Sequence, residues 1–385
     1  MAGVLLGVAL DGAGWHPAAW REPAARPAEL LTADYWVDLA RSAEAAGLDF
    51  LTIEDSLALQ SSRAASHDTR TDLVRGRLDA VMVAARLAPR TERIALIPTV
   101  TVTHTEPFHI SKAVATLDFV SSGRAGVRVQ VSARPHEAAH FGRRELPATG
   151  VAEELFAEAA DYVEVVRRLW DSWEDDAEVR DVATGRFVDR EKLHYIDFEG
   201  RWFRVKGPSI TPRPPQGQPP VVALAHSTLP YRFAAERADV ALVTPMDAPD
   251  ASRIVDEVNG FRGGRAVRVL ADVVVFLAGS RAEAEDRKGR LDDLFGHGYR
   301  SDALVFVGTP TELADLVEEW AGAGIEGFRL RPAGIPADVE LIAAGLVPLL
   351  RRRSLFPDVP RAGTLRDRFG WGRPTNRYAA ASVEG

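Results

Sequence analysis

The 385-residue sequence has no cysteine, and of its 47 basic residues only Lys112, Lys192, Lys206 and Lys288 are lysines. Without cysteine there is no disulfide framework, no thiolate nucleophile and no Cys-ligated metal. The arginines are mixed along the chain with 55 acidic residues, for a net charge of −8, and this interspersion argues against a nucleic-acid partner. No apolar run nears the roughly 18 residues that a membrane-spanning helix needs, so no membrane association is expected. The opening MAGVLLGVALDGAGW lacks the basic start and cleavage site of an export signal, which predicts a cytoplasmic protein. The phosphate loop GxxxxGK, a GxGxxG turn following a strand and the GxSxG nucleophile elbow are also missing. Those absences speak against P-loop and Rossmann nucleotide binding and against serine-hydrolase chemistry. No His-x-His spacing occurs and no set of carboxylate partners is evident, so no metal is expected.

What is present is a regular alternation. With 46% hydrophobic and 26% charged residues the chain has ample apolar mass for a core. Apolar, β-branched runs recur at 4–10, 48–54, 94–101, 125–131, 220–225, 239–243, 267–277 and 327–331. Their continuous apolar character suits parallel strands covered on both faces. Helix signals fill the gaps: Thr32 as an N-cap with Gly47 as the stop, Pro107 opening a helix that ends by Gly123, and a capping box at Thr309-Pro310-Thr311-Glu312. Eight β-then-α units predict an α/β protein with a (β/α)8 TIM barrel, a doubly wound open sheet being the alternative. The chain reads as one barrel domain over 1–385. Residues 174–219, which break the rhythm and end in a proline cluster, read as an insertion after strand four, within the fourth β/α connection. Within it KLHYIDFEG and RWFRVKG are expected to pair as a hairpin. Residues 351–385 read as a C-terminal arm.

Barrel sites lie at the C-terminal ends of the strands. The residues there are Asp11, Trp15 and His16 after strand one, Glu54, Asp55 and Ser56 after strand two, and Thr101, Thr103 and His104 after strand three. Ser132, Arg134 and His136 follow strand four, His226 and Ser227 follow strand five, and His297 precedes strand eight. On strand four the period of two puts Val127, Val129 and Val131 on the helix-facing side and turns Arg128 and Gln130 into the barrel. A buried guanidinium needs a partner, either a carboxylate such as Glu54 or Asp55 or a ligand. Each histidine has an ordinary reading as a hydrogen-bonded packing residue.

Several stretches resemble one family. They are HPAAWREP (16–23), LDFLTIEDS (48–56), IALIPTVTVTHTEPFHISKAVATLDFVSSGRAG (94–126), HFG (140–142), VEVVRRLWDSWEDDA (163–177), HYIDFEGRWFRVKGPSITPRPPQGQPPV (194–221), AAERAD (234–239) and RPTNRY (373–378). They are similar to the bacterial luciferase-like flavin monooxygenases, in the branch of nitrilotriacetate monooxygenase component A, pristinamycin synthase and dibenzothiophene-sulfone monooxygenase, and the likeness runs nearly the full length. The resemblance implies a barrel, usually a homodimer, that takes reduced FMN from a separate flavin reductase and uses it with dioxygen to oxidise a small organic substrate. It also implies Asp55 and Thr101 as flavin contacts, His16 as the histidine of the N-terminal element, and Ser227 as a phosphate-binding serine. His16 and His104 are the expected proton-handling catalytic residues, and Arg128 and His226 the expected cations near the cofactor's anion. The chain departs from the family at Val127-Arg128 (Trp-Asn in the family), at His104 (Tyr), at Ala152 and Phe156 (His and Tyr), and at Ala225 and Pro230 (glycines). Losing donors and turn glycines predicts weak FMN binding. The alternative functions are a flavin-independent barrel acting as a binding or partner subunit, and a deazaflavin-dependent oxidoreductase.

Overall fold

Nine parallel strands organise the chain: β1 (Leu5–Leu10), β2 (Phe50–Ile53), β3 (Ala95–Thr101), β4 (Val127–Gln130), β5 (Val221–Ala225), β6 (Val240–Val243), β7 (Arg268–Leu277), β8 (Leu304–Gly308) and β9 (Gly327–Pro332). They belong to a computed structural model that describes residues 3–61, 68–146 and 149–379. All the expected runs are strands. Their pairings pass from β1 through β2, β3, β4, β5, β6 and β7 to β9 and back to β1, which closes an eight-stranded barrel and overturns the open-sheet alternative. The ninth strand, β8, was not foreseen; it pairs with Val273–Leu277, the upper part of β7, while the lower part of β7 pairs with β6.

Helices α1 (Ala33–Ala46), α2 (Ala80–Leu87), α3 (Pro107–Val120), α4 (Pro135–Phe141), α5 (Val151–Asp171), α6 (Thr228–Arg237), α7 (Ala248–Phe261), α8 (Arg281–Phe295) and α9 (Pro310–Gly322) surround the barrel. The expected caps are in place. Thr32 accepts the Tyr35 N–H, Gly47 ends α1 in the left-handed conformation at φ 86°, and Thr309 and Glu312 close a reciprocal capping box on α9. Val127 and Val129 of β4 pack outward into the main helix-facing core.

Inside the barrel the layers differ. At the N-terminal end Leu5, Phe50, Ala95, Ile97, Val222, Val240, Leu242 and Leu270 form an apolar layer, closed from below by Leu365 and Phe369. Gly7 is required here, because a Cβ at that position would fall 2.2 Å from the Phe50 ring. Leu365 and Phe369 belong to the segment read as an arm. Arg361 anchors that segment with Nη1 on both Asp49 oxygens (2.9 and 2.7 Å) and Nη2 on Gly3 O (2.7 Å), and Arg268 donates to Phe369 O.

Segment 174–219 begins one step later than expected, after α5, and leads into β5. The foreseen hairpin pairs Phe198–Glu199 with Arg204–Val205, and a second one pairs Glu178–Asp181 with Arg186–Val188. Ile196 and Phe198 pack on Val165 and Leu169 of α5, and the hairpin tip carries Trp202 and Phe203 to the rim of the mouth.

Candidate functional site

Above the apolar floor the barrel interior is charged. Arg128 donates Nε to Thr99 Oγ1 (2.9 Å) and pairs with Glu54. Arg329 joins Glu54 (2.9 Å) and meets Asp272 with two bonds, at 2.6 and 2.7 Å. Asp272 also holds Arg331, which reaches Asp302 at 2.7 Å. Beside this chain Arg77 grips Asp11 through both oxygens, at 2.9 Å each. Burial raises Glu54, but Arg128, Arg329 and Arg331 overcome that and hold it below the ordinary glutamate value. Burial brings Arg128 down to about 10, while Asp11, whose burial outweighs the Arg77 contact, is raised. Of the two partners the sequence left open for Arg128, the carboxylate is the one in place, so its guanidinium is not free for an anion.

Around the mouth, the polar ends of β2, β3 and β4 lie side by side. Thr101 and Gln130 are register partners, and Gln130 Nε2 donates to Asp55 O (3.3 Å). The Asp55 carboxylate accepts the N–H groups of Ser56 (2.7 Å) and Ala80 (2.9 Å), and burial raises it. Thr101 is 4% exposed, and among the described residues its Oγ1 has no partner. His104 is likewise buried with Nε2 unpartnered, its ring stacked on Phe141 at 5.2 Å. Burial, helped by Arg144, lowers the His104 pKa, so the imidazole is neutral at pH 7. It lines a cleft of about 160 Å³ with Phe141 and the insertion's Trp202 and Phe203. A buried polar atom left without a partner is one that a ligand or water can complete.

His16 is a buried residue with both ring nitrogens engaged. Its Nδ1 accepts the Ala18 N–H (3.1 Å), its Nε2 meets Asp292 Oδ1 (3.2 Å), and Phe276, Phe295 and Tyr299 surround it. Burial lowers its pKa. His226 and Ser227 stand exposed at the start of α6, where the Ser227 side chain makes no cap bond. Phe156 packs on Phe233, 5.5 Å between centroids. Arg329, Arg331 and Asp272 were missed as site residues. The alternation Phe328-Arg329-Leu330-Arg331 carries the same inward signal that exposed Arg128. The run His136-Glu137-Ala138-Ala139-His140 in α4 has an HExxH spacing that the expectation of no metal left out of account. Glu137 points inward, bonded to Ser56 and Arg134 at 3.0 Å, while His140 is exposed, and among the described residues no cluster of three potential ligands forms.

Residues 15–302 match the family described as luciferase-like monooxygenase. The chain belongs to that family. This luciferase-like monooxygenase is 30% identical, over 98% of each chain, to the N-acetyl-S-(2-succino)cysteine monooxygenase of Bacillus subtilis (strain 168). It is 30% identical, again over 98% of each, to nitrilotriacetate monooxygenase component A of Aminobacter aminovorans. Its fold superposes on a riboflavin lyase structure with TM-score 0.87 at 26% identity, covering 97% of both chains. It is an oxidoreductase of the flavin-dependent monooxygenase class. The residues present fit a flavin at its ring end, where the Thr101 hydroxyl lies buried and unpartnered. Among the described residues, no helix of this luciferase-like monooxygenase is long and apolar enough to cross a membrane.

Proposed function

We propose that this chain is the oxygenase of a two-component system: it takes reduced FMN from a separate flavin reductase and, with dioxygen, oxidises a small organic substrate. It works in the cytoplasm as a homodimer. The observation that carries this reading is the pair of buried, unpartnered polar atoms, Thr101 Oγ1 and His104 Nε2, at the C-terminal mouth of a barrel of this family. When bound, reduced FMN supplies the electrons that activate dioxygen.

The chain's own residues bind, shield and move protons. Thr101, with Asp55 beside it, holds the pyrimidine side of the flavin. The apolar floor and the paired charges above it leave the mouth as the place where reactants meet, and Trp202 and Phe203 shield its rim from water. His104, held neutral, accepts or returns a proton at Nε2. His16 positions this end of the barrel through Asp292 and the Ala18 N–H.

Anaerobic titration with reduced FMN, followed by oxygen with and without substrate, tests the reading. Saturable binding is expected, and Thr101→Val weakens it or diverts turnover to hydrogen peroxide. A wild-type protein that binds no reduced flavin overturns the proposal. His104→Asn is expected to change the pH profile of turnover; an unchanged profile removes His104 from proton transfer.

A further inference from the structure

A flavin mononucleotide brings a dianionic phosphate to the rim, and a protein usually meets such a group with a helix N-terminus, an arginine or both. Each of α1 to α5 and α7 to α9 has a carboxylate at its N-cap or in its first turn, which disfavours an anion there. Only α6 among these nine has none.

That end of α6 is poorly furnished. Its third residue, Pro230, has no N–H, and the Tyr231 N–H is already on Ser227 O (2.9 Å), which leaves the helical N–H groups of Thr228 and Leu229. The Thr228 hydroxyl is turned to Glu257 (2.7 Å). Arg253, the cation beside it, is shared between Glu257 (3.2 Å) and Asp250 (2.6 Å), so this cluster is left with one negative charge in excess. The guanidinium of Arg232, on α6 itself, rests over the Phe261 ring at 5.0 Å. Phe156 and Phe233 add an aromatic pair and no donor. His226 and Ser227 remain, both exposed, where water weakens any hold on an anion.

We infer that this site reads the flavin's ring and not its phosphate, so that riboflavin, the dephosphorylated flavin, binds as readily as FMN. The inference rests on the proposed flavin site and sets its cofactor class. Two N–H groups and an exposed hydroxyl, opposed by Glu257, hold FMN over riboflavin by less than about tenfold.

Anaerobic calorimetry with photoreduced FMN and photoreduced riboflavin on the full chain decides it. Dissociation constants within tenfold of each other are the expected result. Glu257→Gln is expected to tighten FMN about threefold through lost repulsion while leaving riboflavin unchanged. FMN binding more than tenfold tighter than riboflavin overturns the inference and leaves the proposed function standing. Binding of neither flavin overturns the proposed function with it.

Discussion

The two ends of this barrel are built from opposite materials. The N-terminal end is sealed by apolar contacts, with Phe369 set 6.3 Å from Phe50 and Leu365 beside it. At the C-terminal end Arg77, Arg128, Arg329 and Arg331 face Asp11, Glu54, Asp272 and Asp302. Packing is the main hold on the floor, joined by the buried Arg361–Asp49 pair. The mouth holds only because each charge is matched, since one unmatched buried charge costs more than the whole pair contributes. The difference teaches where function can sit. At the mouth, Thr101 Oγ1 and His104 Nε2 lie where a ligand can complete their hydrogen bonding, while Arg368 Nε beside the floor is buried and unpartnered among the described residues as well.

The largest effect is expected at the mouth's central carboxylate. Asp272→Asn leaves Arg329 and Arg331 without their shared partner and should lower unfolding free energy by about 4 to 5 kcal/mol, read from urea denaturation. Phe369→Ala opens the floor and should cost about 3 to 4 kcal/mol in the same assay with flavin affinity unchanged. A matching loss of affinity would end the division of labour between the two ends. Thr101→Val moves the other way: removing a buried, unpaired hydroxyl should leave stability equal or up to about 1 kcal/mol higher, while flavin affinity falls roughly fivefold. The smallest effect concerns pH. His16 has a folded pKa below its unfolded value of 6.5, so its contribution is present above pH 6.5 and is lost as pH falls below it. Thermal melts should therefore drop from pH 7 to pH 5, and His16→Gln should flatten that slope.

Much of this architecture was legible because one face of each element repeats a simple rule. Continuous apolar runs marked the eight barrel strands, and the period of two turned Arg128 inward and left Glu54, Asp55 or a ligand open as its partner, of which Glu54 is in place. The strand β8 escaped because Leu304–Gly308 is only partly buried and pairs with half of β7. Arg329 and Arg331 escaped although their alternation was in plain view. The two histidines show the limit of such reading. His16 and His104 both follow a strand, and what separates them is Asp292, a carboxylate 276 positions from His16 in the chain. His16 has it and is occupied; among the described residues His104 has no counterpart on Nε2.

The floor has a further consequence, in the order of synthesis. Leu5 is made 360 residues before Leu365, yet the two share one apolar layer. The inner faces of β1 to β6 therefore emerge from the ribosome well before the side chains that cover them. Until then the nascent barrel carries a wet apolar opening at its base, the kind of surface that chaperones hold and that other chains stick to. Ribosome-bound chains halted beyond β9 but short of Leu365 should remain protease-sensitive, and those extended past Phe369 should become resistant.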